Sequence, residues 1–249
     1  MIRPHQFIRG KIHYTSDKPG REGQERGREF FTITVHQDGR RTLQSHCEID
    51  DAPAVMRDVT LSFDAEWRPS DCFVRIDVGN QFVGSSWFRF TESEIECEAY
   101  TVSEGRVSQR VALSAPATVF GTHPIAADAL LCKIAALDQG AQMQLFPDLY
   151  LCSLDHRGAT GPMIMRHPTG VRLGFVGREK LTVGAGTFDA LHFRIGESDE
   201  GEERETRNEP GKHPAYEMWT TADGNYTFLK AWVSGYMMTS YELVSLEVV

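Results

Sequence analysis

The chain has 249 residues, 41% of them hydrophobic, 24% charged and 10% aromatic, enough to bury a sizeable core. Thirty-five acidic against 26 basic side chains leave a formal net charge of -9, which argues against nucleic acid as a partner. No apolar run approaches a membrane-spanning helix, and the opening Met1-Ile2-Arg3-Pro4-His5-Gln6 lacks the apolar stretch of a secretion signal, so a cytoplasmic protein with no membrane partner is expected.

Short alternating segments recur along the chain. Phe7 to Tyr14 comes first, then a polar connection at about 15–28 containing Pro19, Gly20, Gly23 and Gly27. Phe30 to His36 ends in Gln37-Asp38-Gly39-Arg40, a hairpin signal that predicts Arg41 to Ile49 pairing back. Val59 to Trp67, Cys72 to Val78, Gln81 to Phe90, Glu94 to Val102 and Val107 to Leu113 continue the series, with turns at Gly79-Asn80 and Glu104-Gly105. One segment, at about 122–138, has helical spacing instead. Thr122 is placed to cap it, Pro124 sits in its first turn, Ile125, Ala126, Ala129, Leu130, Ile134 and Leu137 form one stripe, and Gly140 ends it. Strands resume at Leu149–Leu154, Met163–Arg166, Val171–Val183, Gly186–Ile195, Ala215–Thr221, Tyr226–Val233 and Tyr236–Val248.

A dozen or more strands exceed the usual sheet, so the sheet must curl to hide its edges. The expected fold is all-β: one domain over 1–249, a large curled antiparallel sheet or barrel-like meander, with the helix covering or plugging it. The segment at about 196–213 is expected to be a flexible loop. Its Glu197 to Glu209 part holds seven acids and two arginines, and such charge runs are usually solvated.

The five cysteines, at 47, 72, 97, 132 and 152, are odd in number and widely spaced, which fits reduced thiols better than disulfides or zinc. Nucleotide, metalloprotease and serine-hydrolase motifs are absent and the nine histidines do not cluster, so neither metal nor cofactor is expected.

The run Leu181-Thr182-Val183-Gly184-Ala185-Gly186-Thr187-Phe188-Asp189-Ala190-Leu191-His192-Phe193, followed by a polar loop and Tyr216-Glu217-Met218-Trp219-Thr220, resembles uncharacterised bacterial β-proteins related to the lipoprotein-carrier half-barrels. The resemblance covers about a quarter of the chain. It implies a curled sheet filled by a helical segment, and the binding or carrying of apolar molecules. It carries over no catalytic residue.

Residues two apart in a strand share a face. Thr42, Gln44, His46 and Glu48 make a polar row, read as the wet outside. Three other rows mix large aromatics with charges: Phe73-Arg75-Asp77, Trp87-Arg89 and Tyr226-Phe228-Lys230-Trp232. Together they predict a cavity wall with a few polar groups. In it Lys230 is a candidate base or anion binder, against a snorkelling lysine. Arg75 with Asp77 is a candidate oxyanion anchor, against an ion pair. His46 with Glu48 and His123 at the helix start are candidate general bases, against exposed and cap-region residues. Phe73, Trp87, Arg89, Tyr226, Phe228 and Trp232 are the candidate substrate contacts. Two functions follow: a cofactor-independent lyase or isomerase acting on a hydrophobic or aromatic small molecule by acid–base chemistry, or a non-catalytic carrier of a hydrophobic metabolite or lipid. The charge is compatible with a monomer or a homodimer.

Overall fold

The computed structural model describes residues 5–155, 157–196 and 215–249. The part of the expected flexible loop from 197 to 213 lies outside the described residues. Eight strands open the chain: β1 (His5–Ser16), β2 (Glu25–His36), β3 (Arg41–Ile49), β4 (Val55–Phe63), β5 (Pro69–Val78), β6 (Gln81–Phe90), β7 (Glu94–Thr101) and β8 (Gly105–Ala112). After β9 (Phe120–Gly121) comes α1 (Ile125–Leu131) and a 3-10 turn at Cys132–Ile134. Then follow β10 (Gln144–Phe146), β11 (Tyr150–Leu151), β12 (Met165–Arg166), β13 (Val171–Val183), β14 (Gly186–Ile195), β15 (Tyr216–Thr221), β16 (Phe228–Val233) and β17 (Thr239–Val248).

Fourteen of these strands form one antiparallel sheet in the order β10-β13-β14-β15-β16-β17-β1-β2-β3-β4-β5-β6-β7-β8. The two chain ends meet in its middle, where β17 pairs with β1 from Ile8↔Val248 to Ser16↔Thr239. Register shifts such as those at Lys11/Ile12 and Ile76/Asp77 place extra residues in the ladders, which adds twist and curvature. The sheet curls without closing, since β8 and β10 are its two edges. A second sheet, β12-β11-β9, lies against β6 through Phe120, whose ring is 4.9 Å from Phe88 and 5.0 Å from Phe90.

Alternation explains the core. In β4, Val55, Arg57, Val59, Leu61 and Phe63 point inward while the residues between them do not. Each fully buried Val, Leu, Ile or Phe contributes roughly 1.5–3 kcal/mol. The Asp38-Gly39 hairpin forms as expected, with Val35↔Arg41 closing the β2–β3 ladder and Gly39 at φ 87°, a conformation that glycine adopts without a steric cost.

The helix is shorter than its stripe predicts. It spans Ile125–Leu131, and Ala135 already has extended backbone. Thr122 does not cap it, and its hydroxyl is buried with no hydrogen-bond partner. The cap comes from the sheet. Glu29 of β2 is fully buried and accepts Ile125 N–H at 2.8 Å and Ala126 N–H at 3.2 Å, while Tyr14 O–H (2.7 Å) and Ser45 O–H (2.9 Å) donate to the same carboxylate. Each Glu29 oxygen thus receives two donors, and α1 is pinned against the inner face of the curled sheet. The first connection is also shorter than expected, because β1 and β2 extend the hairpin to Ser16 and Glu25.

Candidate functional site

The predicted cavity wall is where the structure departs most from the sequence reading. On β5, Cys72, Val74 and Ile76 fill the core and Phe73 and Arg75 are exposed. On β6, Ser86 and Phe88 point inward, and Trp87 (42% exposed) and Arg89 point out. Of the two rows of β5 the aliphatic one fills the core, and the row that carries Arg75 and Asp77 faces solvent rather than a hollow. Arg75 donates to Asp77 at 3.1 Å and lies 4.7 Å over the Phe82 ring, Arg89 pairs with Glu96 at 3.5 Å, and Trp87 faces Phe73 across the ladder. These are outer-surface arrangements.

The β16 row is split. The β15–β16 ladder passes from Trp219↔Lys230 to Thr220↔Phe228, so Leu229 is the extra residue of a bulge. Phe228 and Leu229 are therefore both buried, while Trp232 faces solvent and Lys230 lies 5.8 Å over the Trp219 ring on the outer side. His46 is also external, with Nδ1 2.6 Å from Asp58 and Nε2 3.4 Å from Glu48. His123, at φ 74°, places Nε2 2.9 Å from the Ser153 carbonyl. The predicted catalytic residues thus do not converge on one hollow. Behind the outer rows the interior is packed by residues such as Leu43, Leu61, Ile76, Phe88, Leu130 and Phe193.

Of the predicted residues, Tyr226 does reach a concave site. One recess of about 340 Å³ is lined by Glu66, Trp67, Arg68, Thr118, Lys133, Ile134 and Tyr226. Four connections build it, the one between β8 and β9 supplying Thr118. The β4–β5 turn supplies Glu66, Trp67 and Arg68, held by Arg68 N–H and Nε donating to the Asp64 carboxylate, both at 2.8 Å. The 3-10 turn after α1 supplies Lys133 and Ile134. The β15–β16 turn supplies Tyr226, and there Asp223 accepts from Thr221 O–H (2.6 Å) and Asn225 N–H (3.0 Å).

Trp67 and Tyr226 hold left-handed backbone, at φ 65° and 51°. For bulky aromatic residues this is a genuine outlier, and such strain gathers at functional sites. Their rings meet edge to face with centroids 6.0 Å apart.

Lys133 is a strongly desolvated lysine. Its Nζ is buried, has no hydrogen-bond partner, and lies 4.5 Å from the Phe63 ring centroid and 5.4 Å from that of Trp67. Burial lowers its pKa to about 7, with Arg41 adding to the fall and Asp64 opposing it. Burial also raises the Tyr226 phenol above its ordinary value. Arg41 lies 3.9 Å over the Trp67 ring, donates to the Gly39 carbonyl at 2.6 Å, and leaves its Nε unpartnered.

Sequence reasoning missed Lys133 because it follows an apolar helical stripe, where a lysine reads as the wet face. It missed Glu29 and Arg57 too, although both lie in phase with buried rows, Glu29 with Phe31 and Ile33, Arg57 with Val59 and Leu61. Arg57 is fully buried against Gly158, where an added Cβ would stand 2.7 Å from the guanidinium carbon.

Among the described residues, no group of three or more His, Cys, Asp or Glu is arranged to hold a metal ion, and no helix is long and apolar enough to cross a membrane. No protein-family model and no curated protein matches the chain. In fold it is similar to the crystal structure of a β-barrel-like protein of a domain of unknown function, DUF1849, from Brucella abortus. The TM-score is 0.57 at 12% identity, over 99% of this chain and 98% of that one. The likeness extends over the whole chain and is one of architecture: an uncharacterised β-barrel-like fold.

Proposed function

We propose that the protein binds a small apolar or aromatic molecule in the Trp67–Tyr226 recess at the end of α1. The observation that carries this reading is that two aromatic residues from separate turns both adopt left-handed backbone and line the same recess. Backbone of that kind costs of order 1–3 kcal/mol per residue, and the surrounding structure must offset it. The volume lies at the small end of the roughly 300–1,000 Å³ range of ligand sites. Native mass spectrometry of the freshly purified chain tests the reading. A retained small molecule, lost in Trp67→Ala and Tyr226→Ala, supports it, and retention unchanged in both variants removes the ligand from this recess.

A second reading, a cofactor-independent lyase or isomerase, is favoured by Lys133. An amine with a pKa of about 7 is matched to proton transfer near neutral pH. Turnover of an aromatic substrate that stops in Lys133→Met while binding persists supports the enzyme. The kinship to lipoprotein-carrier-like half-barrels belongs to the carrier side of the proposal and rests on the turn chemistry at Gly184–Gly186. A reducing, cytoplasmic home is part of the proposal as well, in keeping with five buried free thiols.

A further inference from the structure

We propose that the recess selects a monoanionic aromatic ligand, an aryl or arylalkyl carboxylate, with its ring against Trp67 and Tyr226 and its carboxylate drawn to Lys133. This rests on the recess being the ligand site.

The charges around the recess are incompletely matched. Arg68 has its counter-ions, with Nε 2.8 Å from Asp64 and a terminal nitrogen 3.4 Å from Glu66. Lys133 and Arg41 have no carboxylate within ion-pair distance among the described residues. Each lies instead over the Trp67 indole, Arg41 at 3.9 Å and Lys133 at 5.4 Å. A ring face offers a cation less than the hydration that burial removes. A carboxylate entering the recess supplies the missing counter-charge.

The stem of Lys133 already lines the recess, and its four-carbon chain lets Nζ swing from the Phe63–Trp67 side toward a ligand oxygen. A neutral ligand leaves the amine in its poorly solvated position. A cationic ligand meets Arg41, Arg68 and Lys133. A dianion pays a larger desolvation cost against the apolar walls and is repelled by Glu66 at the lining. One negative charge on an aromatic body is the best match.

The groups facing Lys133 are Asp64, Glu66 and Arg68 from the β4–β5 turn, Arg41 from β3 and Tyr226 from the β15–β16 turn. In the free protein Lys133 loses its proton as the pH rises through about 7. A bound carboxylate holds that proton, so binding takes up a proton near neutrality and weakens in alkali.

Calorimetry on the full chain with benzoate, phenylacetate and indole-3-acetate, each against its amide, tests this. The acids are expected to bind at least about tenfold tighter than the amides at pH of about 6.5, an advantage of about 1.4 kcal/mol that disappears at pH of about 9. Lys133→Met brings acid affinity down to that of the amide in the same variant. Amides binding as tightly as acids, with both lost in Trp67→Ala, would overturn the anion preference and leave the recess as a ligand site. If no member of the set binds at millimolar concentration, the recess reading falls with it. The acid–amide comparison and its pH dependence need no variant, so a poorly folding Lys133→Met does not block the test.

Discussion

The Glu29 carboxylate accepts the backbone N–H of Ile125 at 2.8 Å, a bond that spans 96 positions of the chain. A strand residue thereby does the work of a helix cap. It also ties β1 and β3 to the helix, through Tyr14 and Ser45. Replacing Glu29 by Ala leaves four buried donors without their acceptor, each worth roughly 1–3 kcal/mol. Glu29→Ala is expected to destabilise the protein by at least about 3 kcal/mol, seen as a lowered denaturant midpoint. Glu29→Gln is expected to fall between the two, because its amide N–H₂ faces donors rather than acceptors. A midpoint unchanged in Glu29→Ala would show that the helix is held by packing alone.

Asp128 of α1 is half-buried near Glu29 and Arg57, and Tyr216 O–H donates to it at 3.5 Å. Burial raises its pKa to about 7, Glu29 adds to the rise, and Arg57 and Tyr216 oppose it. The unfolded value is about 3.9, so the folded state binds the proton more tightly. That contribution to stability is fully present below about pH 4 and is lost as pH rises through about 7. Asp128→Asn is expected to flatten the loss of stability between about pH 4 and 7, and to exceed the parent at the upper end by on the order of 2 kcal/mol. Parallel stability-against-pH curves for the two proteins would assign the titration elsewhere.

Trp67 occupies a position suited to glycine. Removing the ring costs packing in any variant, but Trp67→Ala keeps the backbone strain and Trp67→Gly releases it. The glycine variant is expected to be the more stable of the two by about 1 kcal/mol, the reverse of the usual order. Thermal unfolding of both variants decides this, and an alanine variant equal to or above the glycine one argues that the turn is unstrained.

Arg75 and Lys230 stand on the outer face. Arg75→Ala and Lys230→Ala are each expected to change stability by no more than about 0.5 kcal/mol and to leave ligand retention in the recess intact. Loss of retention in either variant would return the site to the outer rows.

Much of the fold was legible in the chain itself. Period-two alternation in segments such as Arg41–Ile49, and turn pairs such as Asp38-Gly39, depend on nearest neighbours and local backbone sterics. They therefore marked most strands, the antiparallel meander and one helical segment amid β structure. They did not mark the two-residue strand at Phe120–Gly121, which is too short to show a period and exists because Tyr150–Leu151 supplies its partners.

The site was far less legible. Alternation separates Phe73, Arg75 and Asp77 from the aliphatic Cys72, Val74 and Ile76, but whether the aromatic and charged row borders a hollow or solvent follows from the curl of fourteen paired strands. Likewise, the bulge at Leu229 turns Phe228 inward and leaves Trp232 outward through a partner strand that the segment does not contain. Lys133 becomes a desolvated amine when the turn after α1 brings it beneath Phe63 and Trp67, roughly seventy positions away in the chain. Local order determined the strands and their turns. Burial, and with it the chemistry of each charged side chain, came from contacts between distant segments.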